Sequence, residues 1–303
     1  MSTDDRRVDA VQADTDLVPI REVARLTGVN PVTLRAWERR YGLIRPHRTG
    51  KGHRLYNQHH IEQIQQVLAW LARGVAVSQV RGLLEHPLPA SVAGDAWNEE
   101  RRLWLNCIEQ LAERSLDDSF NRSLALYPAE TMCLHLLLPL LDELQQRWSL
   151  LASEQLERVF FLSWLRSKLE TRIYHGNCLH SGPPLLLLSL SNQPMQPTLW
   201  LCAWLASTSG SPVRVFDQPI SPAEISRAIS LIAPRAVLFH SDHCVAPAYL
   251  RLVANTHAHP QMLCGMAATI HNEALSGCPH LHLAESPLNA LHCLQRLGLI
   301  THC

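Results

Sequence analysis

The sequence predicts a multidomain protein of α and α/β class: an N-terminal winged helix-turn-helix, a helical bundle, and a C-terminal parallel sheet covered by helices. Three observations predict it. A basic block between Ile20 and Arg54 is punctuated by helix caps, a turn glycine and a glycine-bearing hairpin. Apolar residues then recur at helical spacing from Ala96 to about His175. Beyond Ser181 the pattern changes to short apolar runs that alternate with proline-started helical segments.

The totals set the frame. With 303 residues, 47% of them hydrophobic and 18% charged, the chain can fill two or three cores and is not disordered as a whole. Its net charge of zero hides an asymmetry. Residues 20–54 hold nine Lys/Arg against Glu22 and Glu38 alone, so the remainder is acidic by the same margin. A basic block in a neutral chain points to a polyanion as the partner of one domain. The polar stretch Met1–Asp16 carries no apolar h-region, and no apolar run reaches the length of a membrane span, so neither secretion nor a membrane is expected. Nine scattered cysteines without a CxxC pair read as the reduced thiols of a cytoplasmic protein.

Residues 1–17 are expected to be a disordered leader, and the DNA-binding unit to span 18–85. Within it, IREVARLTG places Ile20, Val23, Ala24 and Leu26 at helical spacing and ends at Gly28. Asn30 then caps a second helix, Pro31 to Arg40, with the proline where a missing N–H costs nothing. Two helices about a short glycine turn outline a helix-turn-helix. LIRPHRTGKGHRLYN reads as a β-hairpin, or wing, and Asn57 caps a third helix that closes at Gly74. A short fourth helix runs from Ser78 to Leu84.

HPLPASVAGD, residues 86–95, reads as a linker. Four amphipathic segments near 97–114, 117–126, 129–147 and 153–174 predict a four-helix bundle over 96–180. In 181–303, runs at 185–190, 213–216, 236–241, 261–267 and 281–286 read as buried parallel strands. Helices are expected at 198–208, 222–232, 247–257 and 287–297, the last three each opened by a proline. This alternation predicts a doubly wound, flavodoxin-like (Rossmann-type) domain.

Cations that neutralise DNA phosphates release counterions, so a basic helix with a basic hairpin makes a docking surface. Val32, Leu34 and Trp37 are expected to face inward, leaving Thr33, Arg35, Arg39 and Arg40 for the duplex. Arg48, Lys51, His53, Arg54 and Tyr56 are the expected donors of the wing.

TLRAWERRYGL, then RP-x-R, then GHRLY, resembles the winged-helix domain of MerR-family transcription regulators over about residues 18–85. Trp37 and the short linker resemble the subgroup with a cobalamin-binding-like C-terminal region, and NPVTLRAWERRYGL followed by GHRL resembles its MlrA-like members, regulators of curli and biofilm genes. The resemblance implies a homodimer on palindromic promoter DNA. Arg35 and Thr33 would then be recognition-helix contacts, and Arg48, His53, Arg54 and Tyr56 wing contacts. RNA polymerase and a signalling protein are further candidate partners.

The sensing half departs from that family. Where cobalamin binders carry a cobalt-ligating histidine after the first strand, this chain has SNQPMQP, Ser191–Pro197. Where light-sensing relatives follow a bundle tryptophan with Glu-His, Trp148 is followed by Glu154 and Gln155. The expected glycine pair is Gly265-Met266, and Ser241 alone matches a family serine. No cofactor is therefore expected. HSDHC, HAH and CPHLH (within 240–282) are dispersed over strand ends, so no metal site is expected either. No phosphate loop, nucleophile elbow or carboxylate pair suggests an enzyme, so there are no catalytic candidates. The tryptophans at 70, 97, 104, 164, 200 and 204 read as packing residues. Three alternatives remain: a B12 photosensor or repressor, a metal sensor with atypical ligands, or an interaction adaptor.

Overall fold

Local chemistry opens the fold. In the computed structural model, which describes residues 17–85, 95–150, 155–193, 195–246, 248–250, 259–275, 278 and 280–300, α1 (Ile20–Thr27) stops at Gly28, whose left-handed φ of 70° turns its N–H onto the Ala24 carbonyl. Helix α2 begins at Pro31, where the Asn30 side chain accepts from the Val32 N–H at 2.8 Å, and runs to Ala36. It continues as a π-wound stretch, Trp37–Tyr41, which Gly42 ends. Strands β2 (His47–Arg48) and β3 (Arg54–Tyr56) form the wing. A strand the sequence did not announce, β1 (Val18–Pro19), pairs with the other edge of β3, so the sheet order is β1-β3-β2. Helix α3 (Gln58–Ala72) starts from a capping box between Asn57 and His60, and α4 (Val77–Glu85) follows.

Val23, Leu34, Trp37, Ile44, Ile64, Val67, Leu71 and Val80 form the core of this head. One core residue comes from further along, Leu126, at the end of α6 (Glu113–Leu126). Its carbonyl accepts a 2.8 Å hydrogen bond from Trp37 Nε1, so the π-wound extension of α2 is fastened to α6 through its largest side chain. A buried indole N–H needs such a partner. Next to α6 lie α5 (Asp95–Glu109) and α7 (Ala129–Met132), and a π-wound Cys133–Leu137 leads from α7 into α8 (Leu138–Leu150). Residues Met1–Leu140 form one compact unit and Leu141–His302 another.

The second unit takes in most of α8, then α9 (Gln155–Leu179), and carries the parallel sheet. Its strands are β4 (Leu185–Ser189), β5 (Val213–Phe216), β6 (Ala236–His240), β7 (Gln261–Cys264) and β8 (Leu281–Ala284), in the order β5-β4-β6-β7-β8. That is the flavodoxin-like order 2-1-3-4-5, with its switch point between β4 and β6. Helix α10 (Pro197–Thr208) is buried from Leu199 to Ser207 and contacts α9, β4, β5 and α14 (Pro287–Arg296). A helix apolar on all sides can only be a core element. Helix α11 (Pro222–Ile232) opens on a Ser221–Glu224 capping box.

The expected strand 261–267 ends early, at Cys264. Gly265 has φ +96°, and α12 (Met266–Ile270) and α13 (Asn272–Leu275) follow. The expected leader at 1–16, the linker at 86–94 and most of the expected helix 247–257 lie outside the described residues.

Candidate nucleic-acid interface

On α2 the inward positions are Thr33, Leu34 and Trp37, all at most 2% exposed. Arg35, Arg39 and Arg40 face solvent, and none of them makes an ion pair among the described residues. Val32, expected inside, is 54% exposed, and Thr33 has taken its place in the core. The reason is the helical period. Leu34 and Trp37, three apart, fix the buried stripe, and Val32 then shares the opposite stripe with Arg35 and Arg39. Thr33 is thereby corrected as a DNA contact: its side chain is not presented to a duplex.

The wing is a tight turn. His53 N donates to Thr49 Oγ1 at 3.1 Å, Thr49 N to the His53 carbonyl at 2.9 Å, and Gly52 N to the Thr49 carbonyl at 2.8 Å. Gly52 has φ +81°, a conformation that glycine adopts without strain. Lys51 and His53 project from this turn, exposed. Arg48 and Arg54 are placed otherwise. Both bind Glu38, which rides on the recognition helix: Arg48 Nη2 donates to Oε1 at 2.6 Å and Arg54 Nε to Oε2 at 2.5 Å. Burial by itself would raise the Glu38 carboxyl, but hydrogen bonds from Arg54 and Arg48 and their charges outweigh it and hold the group below its ordinary value. One carboxylate therefore sets the angle between helix and wing.

Half of the Arg48 side chain stays exposed, against 15% of Arg54. Arg48 keeps part of its guanidinium side chain open to solvent, whereas Arg54 is largely enclosed between the hairpin and Glu38. Tyr56, the last expected wing contact, is also corrected. It is 1% exposed, with its ring edge-on to His60 at 6.0 Å, because β3 alternates and sends it into the core. Arg45 and His47 are exposed beside the wing and were not among the expected contacts. Arg45 lies just before the hairpin and His47 in its first strand, within the basic LIRPHR stretch. Arg45, His59 and Arg81 also line a polar groove of about 470 Å³ beside the start of α3.

The carboxyl end of the parallel sheet is where an open α/β domain takes a ligand. Here two pairs of its own side chains bond to each other. Met195, with φ 54°, turns the loop after β4 so that Gln196 is buried. His240 Nδ1, at the end of β6, donates to Gln196 Oε1 at 2.8 Å, and Thr198 Oγ1 donates to Asp242 Oδ2 at 2.6 Å. The Met266 N–H reaches Asp242 Oδ1 at 3.4 Å. Burial pushes the fully buried His240 imidazole below its ordinary value, against the opposing pull of Asp242. A Cβ on Gly265 would stand 2.6 Å from the Ser241 carbonyl and 2.7 Å from Asp242 Oδ1, so that glycine serves the chain's own loop. These residues do not fit a cobalamin: the loop after β4 has no imidazole, and the one buried imidazole nearby, His240, has its Nδ1 committed to Gln196. Among the described residues, no group of three or more His, Cys, Asp and Glu is placed to hold a metal. Among them, too, no helix is long and apolar enough to cross a membrane.

Residues 18–86 match the family described as MerR HTH family regulatory protein. The chain is 34% identical over 210 residues to the HTH-type transcriptional regulator MlrA of Salmonella typhimurium, spanning 68% of this chain and 82% of that protein. To the HTH-type transcriptional repressor CarH of Myxococcus xanthus it is 31% identical over 140 residues, 43% of this chain and 47% of that one. Among solved structures it is similar to a chain of the methanol:cobalamin methyltransferase complex MtaBC of Methanosarcina barkeri, with a TM-score of 0.36 and 12% identity over 72% of this chain and 87% of that one.

Proposed function

The chain belongs to the MerR family of helix-turn-helix transcriptional regulators, in its MlrA-like subgroup, and on that premise we propose that it grips promoter DNA as a homodimer through α2 and the wing. The carrying observation is the row Arg35, Arg39 and Arg40, exposed and without an ion pair among the described residues, on the helix that Glu38 locks to the wing. A folded protein that leaves such cations unspent beside a tight hairpin is built to meet phosphates and base edges. Arg35, nearest the start of the helix, reads a base. Arg39, Arg40, Arg48, Lys51 and His53 hold the backbone, and Arg54 holds the wing. The head over 18–85, the helices over 96–180 and the α/β domain over 181–303 act as reader, spacer and receiver in a cytoplasmic protein.

By its likeness to the MlrA-like regulators, the genes it controls are of the biofilm and curli type. Its relatives are named as regulators, so its role is regulatory rather than catalytic. The α/β domain, with Gln196 bonded to His240 and Asp242 to Thr198 at the carboxyl end of its sheet, receives a signalling protein or RNA polymerase on its surface instead of a corrinoid. Genome-wide mapping of bound sites tests the reading. Paired half-sites at promoters, lost in Arg35→Ala, are expected; binding without sequence preference overturns it. Purified protein incubated with cobalamin and desalted is expected to stay colourless, and a retained corrin spectrum would restore the cofactor.

A further inference from the structure

We propose that Val32 reads the C5-methyl group of a pyrimidine in the major groove, beside a guanine held by Arg35. The inference rests on the reading of α2 as the recognition helix and names what its first turn recognises. Three observations carry it. Val32 is the second residue of α2 and 54% exposed, although the core of the head lies on the opposite stripe. The polar residues on either side of it are already engaged: the Asn30 side chain accepts from the Val32 N–H, and Thr33 is 2% exposed. The outward chemistry of the first turn is therefore an isopropyl group followed by a guanidinium.

Spacing supplies the third. Residues three apart on a helix share a face and lie about 4.5 Å apart along its axis, close to the roughly 3.4 Å step of B-DNA. Val32 and Arg35 thus reach neighbouring base pairs. A valine has neither donor nor acceptor, and the apolar feature that the major groove offers it is a C5-methyl. Thymine and 5-methylcytosine both carry that group.

The full chain and its Val32→Ala variant are used to select sites from random duplexes, and the selected thymine beside the guanine is then replaced by uracil, cytosine or 5-methylcytosine. Val32→Ala should fold normally, since the position is exposed and alanine favours helix. Wild type is expected to lose about fourfold in affinity on the thymine-to-uracil change, the worth of one buried methyl. The variant should be indifferent to that change, and 5-methylcytosine should bind wild type better than cytosine. Selection of the same thymine by Val32→Ala, or a neutral uracil in wild type, overturns the inference while leaving DNA recognition intact. If wild type enriches no sequence at all, the reading of α2 falls and this inference with it.

Discussion

The outer face of α2 and the carboxyl end of the parallel sheet treat polar groups in opposite ways. On α2, Arg35, Arg39 and Arg40 stand in water without an ion pair among the described residues. At the sheet, Gln196, Thr198, His240 and Asp242 bind one another over the switch point. Both are places where their folds present ligands. The arginines of the head hold their bonding capacity out to solvent, whereas at the sheet the polar groups turn on one another and what is left over, Gln196 Nε2 and His240 Nε2, is buried. The difference teaches that the carboxyl end of a flavodoxin-like sheet can bond to itself, while a helix face in the same chain stays open to what arrives from outside.

The largest expected effect breaks the inward half of the comparison. Gly265→Ala puts a Cβ into the Ser241 carbonyl and the Asp242 carboxylate at a φ of +96°. The backbone on both sides would have to shift, at a cost of about 3 kcal/mol or more. Denaturation of the full chain should show the Leu141–His302 unit unfolding earlier, while the Met1–Leu140 unit keeps its transition. An unchanged midpoint would mean that the crevice is loose enough to admit a ligand.

Arg35→Ala tests the outward half. Losing a bidentate base contact costs about 2 kcal/mol, or roughly thirtyfold in affinity for the selected site. Stability should move by no more than about 0.5 kcal/mol, because nothing in the fold leans on that side chain. A large drop in melting temperature would show the arginine to be structural.

The same contrast explains what was legible in the sequence. Caps and turns are local, so Asn30, Pro31, Gly28 and Gly42 were readable, and so was the alternation of strands and helices after Ser181. Pairing is not local. β1 was missed because Val18–Pro19 becomes a strand only through β3 across the head. The strand expected to reach 267 ends at Cys264 because Asp242, from a neighbouring loop, receives the Met266 N–H and the chain turns there. Among the expected contacts, an inward Val32 leaves Thr33 for the duplex and a hydroxyl on the wing makes Tyr56 a donor, but the Leu34–Trp37 stripe and the alternation of β3 turn both inward. The tie of Arg48 and Arg54 to a single glutamate on another element has no signature in spacing.

Glu38→Gln comes next, since it cuts that tie. Arg54 and Arg48 would lose a charged acceptor that is only 14% exposed. The expected loss is about 1–2 kcal/mol at neutral pH, the size of a hydrogen-bonded charge at a partly buried site. The sign with pH follows from the folded-state carboxyl lying below its ordinary value. Its contribution is complete above the unfolded value of about 4.3 and is lost as pH falls through the folded one. Wild type and variant should therefore differ in denaturation midpoint at pH 7 and converge in acid; a gap that widens in acid would refute the pairing.

The smallest effect separates free cations from tied ones. Lys51 sits exposed at the wing tip between Gly50 and Gly52 and has no ion pair among the described residues, so its ammonium serves only what arrives from outside. If that is a phosphate, Lys51→Ala removes one counterion-releasing contact. The slope of log K against log salt should then flatten by about 0.9. Operator and random duplex should weaken alike, by less than about 1 kcal/mol, because a phosphate carries no sequence. Arg48→Ala should flatten the slope less than Lys51→Ala does, since removing Arg48 also frees Glu38 from one partner and Arg54 can take up more of its charge. A larger change in slope for Arg48 than for Lys51 would mean that DNA pulls Arg48 off Glu38 on binding, and that helix and wing then part as the complex forms.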